Sequence, residues 1–86
     1  MIFVVESQSV TGADRAAVQG DEYPLIEQHR AEGFFRDIFV REDGQGAISV
    51  VEAPSEQVVR DTLGLLPFVK AGVVRIVNVV AVTSRW

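Results

Sequence analysis

Glu22 and His29 stand two helical turns apart, in a stretch whose apolar residues recur at three- and four-residue steps. Val18, Glu22, Leu25 or Ile26, and His29 then share one face, the apolar face that a helix turns toward a sheet. Along a straight helix the two groups are roughly 10 Å apart. A carboxylate or an imidazole in a dry cavity is what proton transfer to and from carbon requires. Burial lifts a carboxylate toward neutrality, and histidine titrates there by nature. Glu22 and His29 are therefore the candidate catalytic groups. Each also has a plainer role. Glu22 suits the first turn of a helix restarted at Asp21, where an acid meets the positive end of the dipole. His29, the single histidine, suits a packed position on a half-buried helix.

Four polar residues interrupt stretches that otherwise read as strands, and they are the candidate substrate contacts. Glu6 shares a strand face with Ile2 and Val4, where a charge is costly unless paired or used. Arg36, Arg75 and Asn78 interrupt other strands, and an arginine there could hold a substrate carboxylate or a developing enolate oxygen. Ion pairs of these arginines with Glu6 or Asp37 account for the same residues without a substrate. Tyr23, Phe34, Phe35 and Phe39 supply aromatic walls, as core or as pocket lining.

The elements that must position these groups follow from periodicity. Ile2 to Ser9 is a β-branched strand. Thr11-Gly12-Ala13-Asp14 resembles a capping box, a helical pattern then runs to Glu32, and Gly33 stands where a glycine cap belongs. Gly20 and Pro24 predict a kink or a short break inside that helix. Phe34 to Arg41 alternates as a strand, with Phe35 and Phe39 on one face and Phe34, Arg36, Ile38 and Val40 on the other. An Asp43-Gly44 turn leads to a hairpin strand from Ala47 to Glu52. A second helix opens at Pro54-Ser55, with Ser55 as cap and Val58, Val59, Thr62, Leu63 and Leu66 as its apolar stripe, and it stops at Pro67. Val73 to Val82 is the last strand. The order βαββαβ over residues 1–86 predicts one α+β domain of ferredoxin-like type: a four-stranded antiparallel sheet with two helices on one face.

Composition narrows the function classes. With 86 residues and 48% of them hydrophobic, the chain has more apolar surface than one small core hides, so a homo-oligomer is expected. The net charge is −4 with no basic cluster, which argues against nucleic acid. There is no cysteine, no multi-histidine metal set and no glycine-rich phosphate loop, so no metal and no cofactor is expected. Met1 to Val5 is too short an apolar run for a signal peptide or a membrane span, and a cytoplasmic protein without a membrane partner is expected.

Several short motifs carry a family resemblance. Met1-Ile2-Phe3 with Val5-Glu6, then Asp21-Glu22, Glu32-Gly33 and Arg36, then Ser55 with Leu66-Pro67, are similar to the muconolactone Δ-isomerases over nearly the whole chain. The resemblance implies the dimeric α/β-barrel group, in which dimers assemble into larger rings. It also implies movement of a double bond in a small lactone acid without metal or organic cofactor. Where the family has a lysine beside the helix glutamate, this chain has Tyr23. Phe68-Val69-Lys70 replaces an aromatic and a proline, and Thr83-Ser84-Arg85-Trp86 stands in place of a closing His-Pro segment. The expected activity is thus a cofactor-independent isomerase or cyclase acting on a small, apolar, oxygenated metabolite of lactone or polyketide type. Two rivals stand beside it: a tailoring cyclase or pericyclase relying on pocket shape, and a non-catalytic oligomeric ligand-binding protein.

Overall fold

Alternation builds the first strand. Phe3, Val5 and Ser7 are buried while Ile2, Val4 and Glu6 are half-buried, so β1 (Ile2–Ser9) shows one face to a core and one outward. The computed structural model describes residues 1–86. The further elements are α1 (Gln19–Ala31), β2 (Phe35–Val40), β3 (Gly46–Glu52), α2 (Glu56–Gly64), the single turn α3 (Pro67–Lys70) and β4 (Val74–Val82). The strands form one sheet in the order β2-β3-β1-β4, with every neighbouring pair antiparallel. This is the ferredoxin-like arrangement, with the helices on one face. None of the helices is long and apolar enough to cross a membrane.

The core lies between the sheet and the helices. Phe3 and Val5 of β1, Val51 of β3 and Val59 of α2 are fully enclosed, and Leu63 and Leu66 close the cluster. Each such side chain contributes about 1.5–3 kcal/mol relative to leaving it in water. Ser55 caps α2 as its position predicts, accepting the Val58 N–H at 3.2 Å. Val58 itself turns outward, so the buried stripe is narrower than the spacing suggests. The helix stops at Gly64, earlier than Pro67, and Leu66 is extended between the two; the fixed φ of Pro67 starts a new turn, α3, with the proline at its first position.

Two expectations are corrected. The helix does not begin after Thr11: residues 10–18 form successive turns, with Gly12 at φ +82° and the Asp14 carboxylate accepting the Ala17 N–H at 3.2 Å. The capping-box residues are spent on those turns, and α1 starts at Gln19 without a side-chain cap. Pro24 falls inside it, where the missing N–H leaves the Gly20 carbonyl without its helical donor. The far end follows expectation. Gly33, at φ +88°, lets Phe34 N–H reach the His29 carbonyl and Gly33 N–H reach the Arg30 carbonyl, a Schellman closure.

The second correction concerns β2. A bulge between Phe35 and Asp37 inserts Arg36 as an extra residue, so the alternation changes phase there. Phe35, Ile38 and Val40 face the helices, whereas Phe39 points out through the other face, 54% exposed. A matching irregularity on the opposite edge, where Val77 has no partner on β1, shifts β4. Between the bulges the outward face carries Val50, Val4 and Val80 in one row, and Phe39, Ile48, Glu6 and Asn78 in the next.

Candidate active site

Turning α1 over the sheet leaves a gap that the helices do not fill. It is a cavity of about 230 Å³, floored by β1 and β3 and walled by α1, α3 and the end of β2. Its surface is mainly apolar, with Phe35, Ile38, Leu63, Leu66 and Ile76 among the walls. An apolar cavity of about 150 Å³ holds benzene, so this one has room for a single ring with small substituents.

Glu22 stands in the wall of this cavity, 3% exposed. Its Oε1 accepts the backbone N–H of Phe68 at 2.9 Å, a bond that ties α1 to α3, and Oε2 has no partner in the protein. Burial pushes the carboxyl above the ordinary carboxylate range, and the Phe68 N–H and the Arg15 charge offset that only in part. Arg15, from the loop before α1, lays its guanidinium over the Phe68 ring, 4.7 Å from the centroid, and Tyr23 meets the same ring edge-on at 6.4 Å. Arg15 forms no salt bridge and is the one cationic side chain lining the cavity.

The raised pKa has a consequence for stability. The folded carboxyl holds its proton to a higher pH than the unfolded one. The contribution of Glu22 is therefore fully present below about pH 4.3 and is lost as pH rises through the raised value. Urea melts at a series of pH values should show wild type losing stability relative to Glu22→Gln across that interval. Parallel curves would remove the burial argument.

The other sequence-derived candidates do not converge on this cavity, apart from Tyr23 and Phe35. His29 lies in a separate, open hollow with Met1, Glu32, Phe34 and Thr62. Its Nδ1 is 3.6 Å from Glu32, its ring tilts against Phe34, and its Nε2 is enclosed without a partner. The two helical turns from Glu22 carry it beyond the end of the cavity. Glu6, Arg75 and Asn78 lie on the outward sheet face, where Glu6 is directly opposite Asn78 and Gln8 opposite Arg75. Phe39 joins them through the bulge. Arg36 is bound at the surface, its Nε donating to Glu52 at 2.6 Å.

What the sequence reading missed is Arg15, the Phe68 N–H and the serines of the floor, Ser7, Ser9 and Ser49. The signal for the serines was present: Phe3, Val5, Ser7 and Ser9 alternate on one face. Arg15 and Phe68 gave none, since both sit in turns whose place is set by tertiary packing.

No protein-family model matches the sequence, and a search of curated proteins found no match. Among solved structures, the fold is similar to that of TftG, a 5-chloro-2-hydroxyhydroquinone dehydrochlorinase from Burkholderia phenoliruptrix AC1100, in complex with 2,5-dihydroxybenzoquinone. The TM-score is 0.74 at 21% identity, over 100% of this chain and 93% of that one. The likeness fixes the fold. The chain is ferredoxin-like throughout.

Proposed function

We propose that this chain is a cofactor-independent enzyme that moves a proton on a small oxygenated ring, in an isomerase or cyclase reaction, with Glu22 as the group that takes and returns it. The observation that carries this reading is one carboxylate, enclosed in an apolar cavity, anchored through Oε1 and unpartnered at Oε2. Ionised, Glu22 takes a proton from a carbon beside a carbonyl; its raised pKa then makes it a competent acid for delivery to a second carbon. Arg15, at the cavity, favours the negative charge that develops on the substrate oxygen meanwhile. The muconolactone isomerase resemblance supports the same residue, because Asp21-Glu22 is among the motifs it rests on. TftG, which removes hydrogen chloride from a hydroxylated ring, supports a compact ring as the substrate type.

A cyclase governed by pocket shape is the second reading, favoured by the mainly apolar lining of the cavity. A second copy of the chain covering the outward sheet face belongs to the proposal, since that face carries Val4, Val50, Val80 and Phe39 unburied. The test is deuterium exchange: chelator-treated protein in D₂O with muconolactone, and then with simple cyclic enones, followed by proton NMR. Exchange at a ring carbon, unaffected by the chelator, is expected. A folded protein that exchanges nothing with any of them is a binding protein or a shape-driven cyclase.

A further inference from the structure

The cavity floor carries hydroxyl groups that the proton-transfer reading does not use. Ser49 of β3 is 8% exposed, lines the cavity, and its hydroxyl makes no hydrogen bond within the protein. Ser7 of β1 is comparably enclosed, and its Oγ donates to the Ala47 carbonyl at 3.3 Å, which leaves its lone pairs free. Cross-strand pairing sets Val5 opposite Ser49 and Ser7 opposite Ala47, so the two serines are diagonal neighbours on the same sheet face. Their side chains are then within roughly 7 Å of each other, close enough to share one guest oxygen.

The neighbours on this face show what packing alone selects, Val5 and Val51, both fully buried, whereas Ser49 turns a hydroxyl with no partner in the protein to the cavity, where it is open to a guest. A ligand oxygen would satisfy it. That oxygen must be uncharged. Arg15, the single cation of the lining, comes from the loop before α1 and lies against Phe68 of α3, so β1 and β3 offer no counter-charge at the floor. An ionised group there would be buried unpaired and would share the cavity with the Glu22 carboxylate.

We infer that Ser49, with Ser7 beside it, binds an uncharged oxygen of the ligand, a ring hydroxyl or a ring carbonyl, at the floor of the cavity. The inference rests on the cavity being the ligand site and does not require Glu22 to move a proton. It assigns the ligand a polarity: a neutral oxygen on the sheet side, apolar ring edges against Phe35 and Leu66, and any negative charge toward Arg15.

The test compares two probes of one shape, phenol and toluene, by site-resolved NMR titration of wild type, Ser49→Ala and Glu22→Gln. Comparing the ratio of the two dissociation constants between proteins cancels the difference in solvation between the probes. Ser49→Ala should lower the preference for phenol about five- to tenfold, the share of one neutral hydrogen bond, and Ser7→Ala should lower it less. Glu22→Gln should leave it within about twofold. Because that hydroxyl makes no bond within the protein, Ser49→Ala should melt close to the wild-type temperature, which excludes a folding defect as the cause. A ratio unchanged in Ser49→Ala overturns the inference and leaves the proposed proton transfer untouched. A preference lost in Glu22→Gln instead assigns the oxygen to the carboxylate and overturns it too. Failure of both probes to shift the cavity residues overturns this inference together with the cavity as ligand site.

Discussion

Replacing Glu22 by glutamine is expected to lower turnover at least about a hundredfold while the protein stays folded, because a positioned acid or base contributes roughly 10² to 10⁴ in rate. The substitution is close to isosteric. The glutamine Oε1 still accepts the Phe68 N–H, so the bond that ties α1 to α3 survives. What disappears is the capacity to hold and release a proton at the second oxygen. The cost of burying a charge disappears with it, so the variant should be as stable as wild type at neutral pH or more so. This pairing is diagnostic. A merely structural carboxylate predicts instead that Glu22→Gln keeps both its stability and its activity, since the bond to Phe68 is kept. Glu22→Leu supplies the contrast, since it removes the acceptor and leaves the Phe68 N–H buried without a partner, at about 1–3 kcal/mol. The readout is initial rate on whichever substrate shows exchange, alongside urea melts of all three proteins. Full activity in Glu22→Gln removes Glu22 from the chemistry.

The positions of the elements were legible in the sequence because they follow from local rules. Period-two alternation in β1, the Ser55 cap and the Gly33 closure each act over a few residues. Glu22 was legible for a related reason, as a carboxylate on the apolar face of a helix. The rest depends on contacts between distant segments. A bulge at Arg36 is a property of two strands in register, and it moved Phe39 from the pocket to the outward face. The outward positions of Glu6, Arg75 and Asn78 follow from which face of β1 the helices cover, and alternation alone does not say which. The turns at 10–18 and 67–70 look like a helix start and a helix stop, yet they deliver Arg15 and the Phe68 N–H to the cavity. The interruption expected at Gly20–Pro24 falls instead before Gln19: residues 10–18 form turns, because the Thr-Gly-Ala-Asp signal is equally good turn chemistry, and α1 then runs through Pro24 as one helix.

Placing an aspartate at Val4 is expected to break the proposed assembly. Val4 is on an interior strand, directly opposite Val50 on one side and Val80 on the other, so it marks the middle of the apolar row on the outward face. Within one chain it is only half-buried, and a charge there can reach water. Against a second copy the same charge is enclosed without a counter-ion, two residues from Glu6 on the same face. The cost is at least about 3 kcal/mol per site, more than a hundredfold in the dissociation constant. Sedimentation of wild type should show a dimer or a larger ring, and Val4→Asp a monomer at the same concentration. Val4→Thr, which keeps the shape and adds a hydroxyl, should weaken association much less. A wild type that sediments as a monomer would show that no second copy covers this face. A domain of this size would then expose Phe39, Val80 and Val82 to solvent in one patch, the surface that drives nonspecific association. Loss of turnover on dissociation would add that the cavity depends on the assembled sheet faces, whereas retained turnover in the monomer would place the whole reaction within one chain.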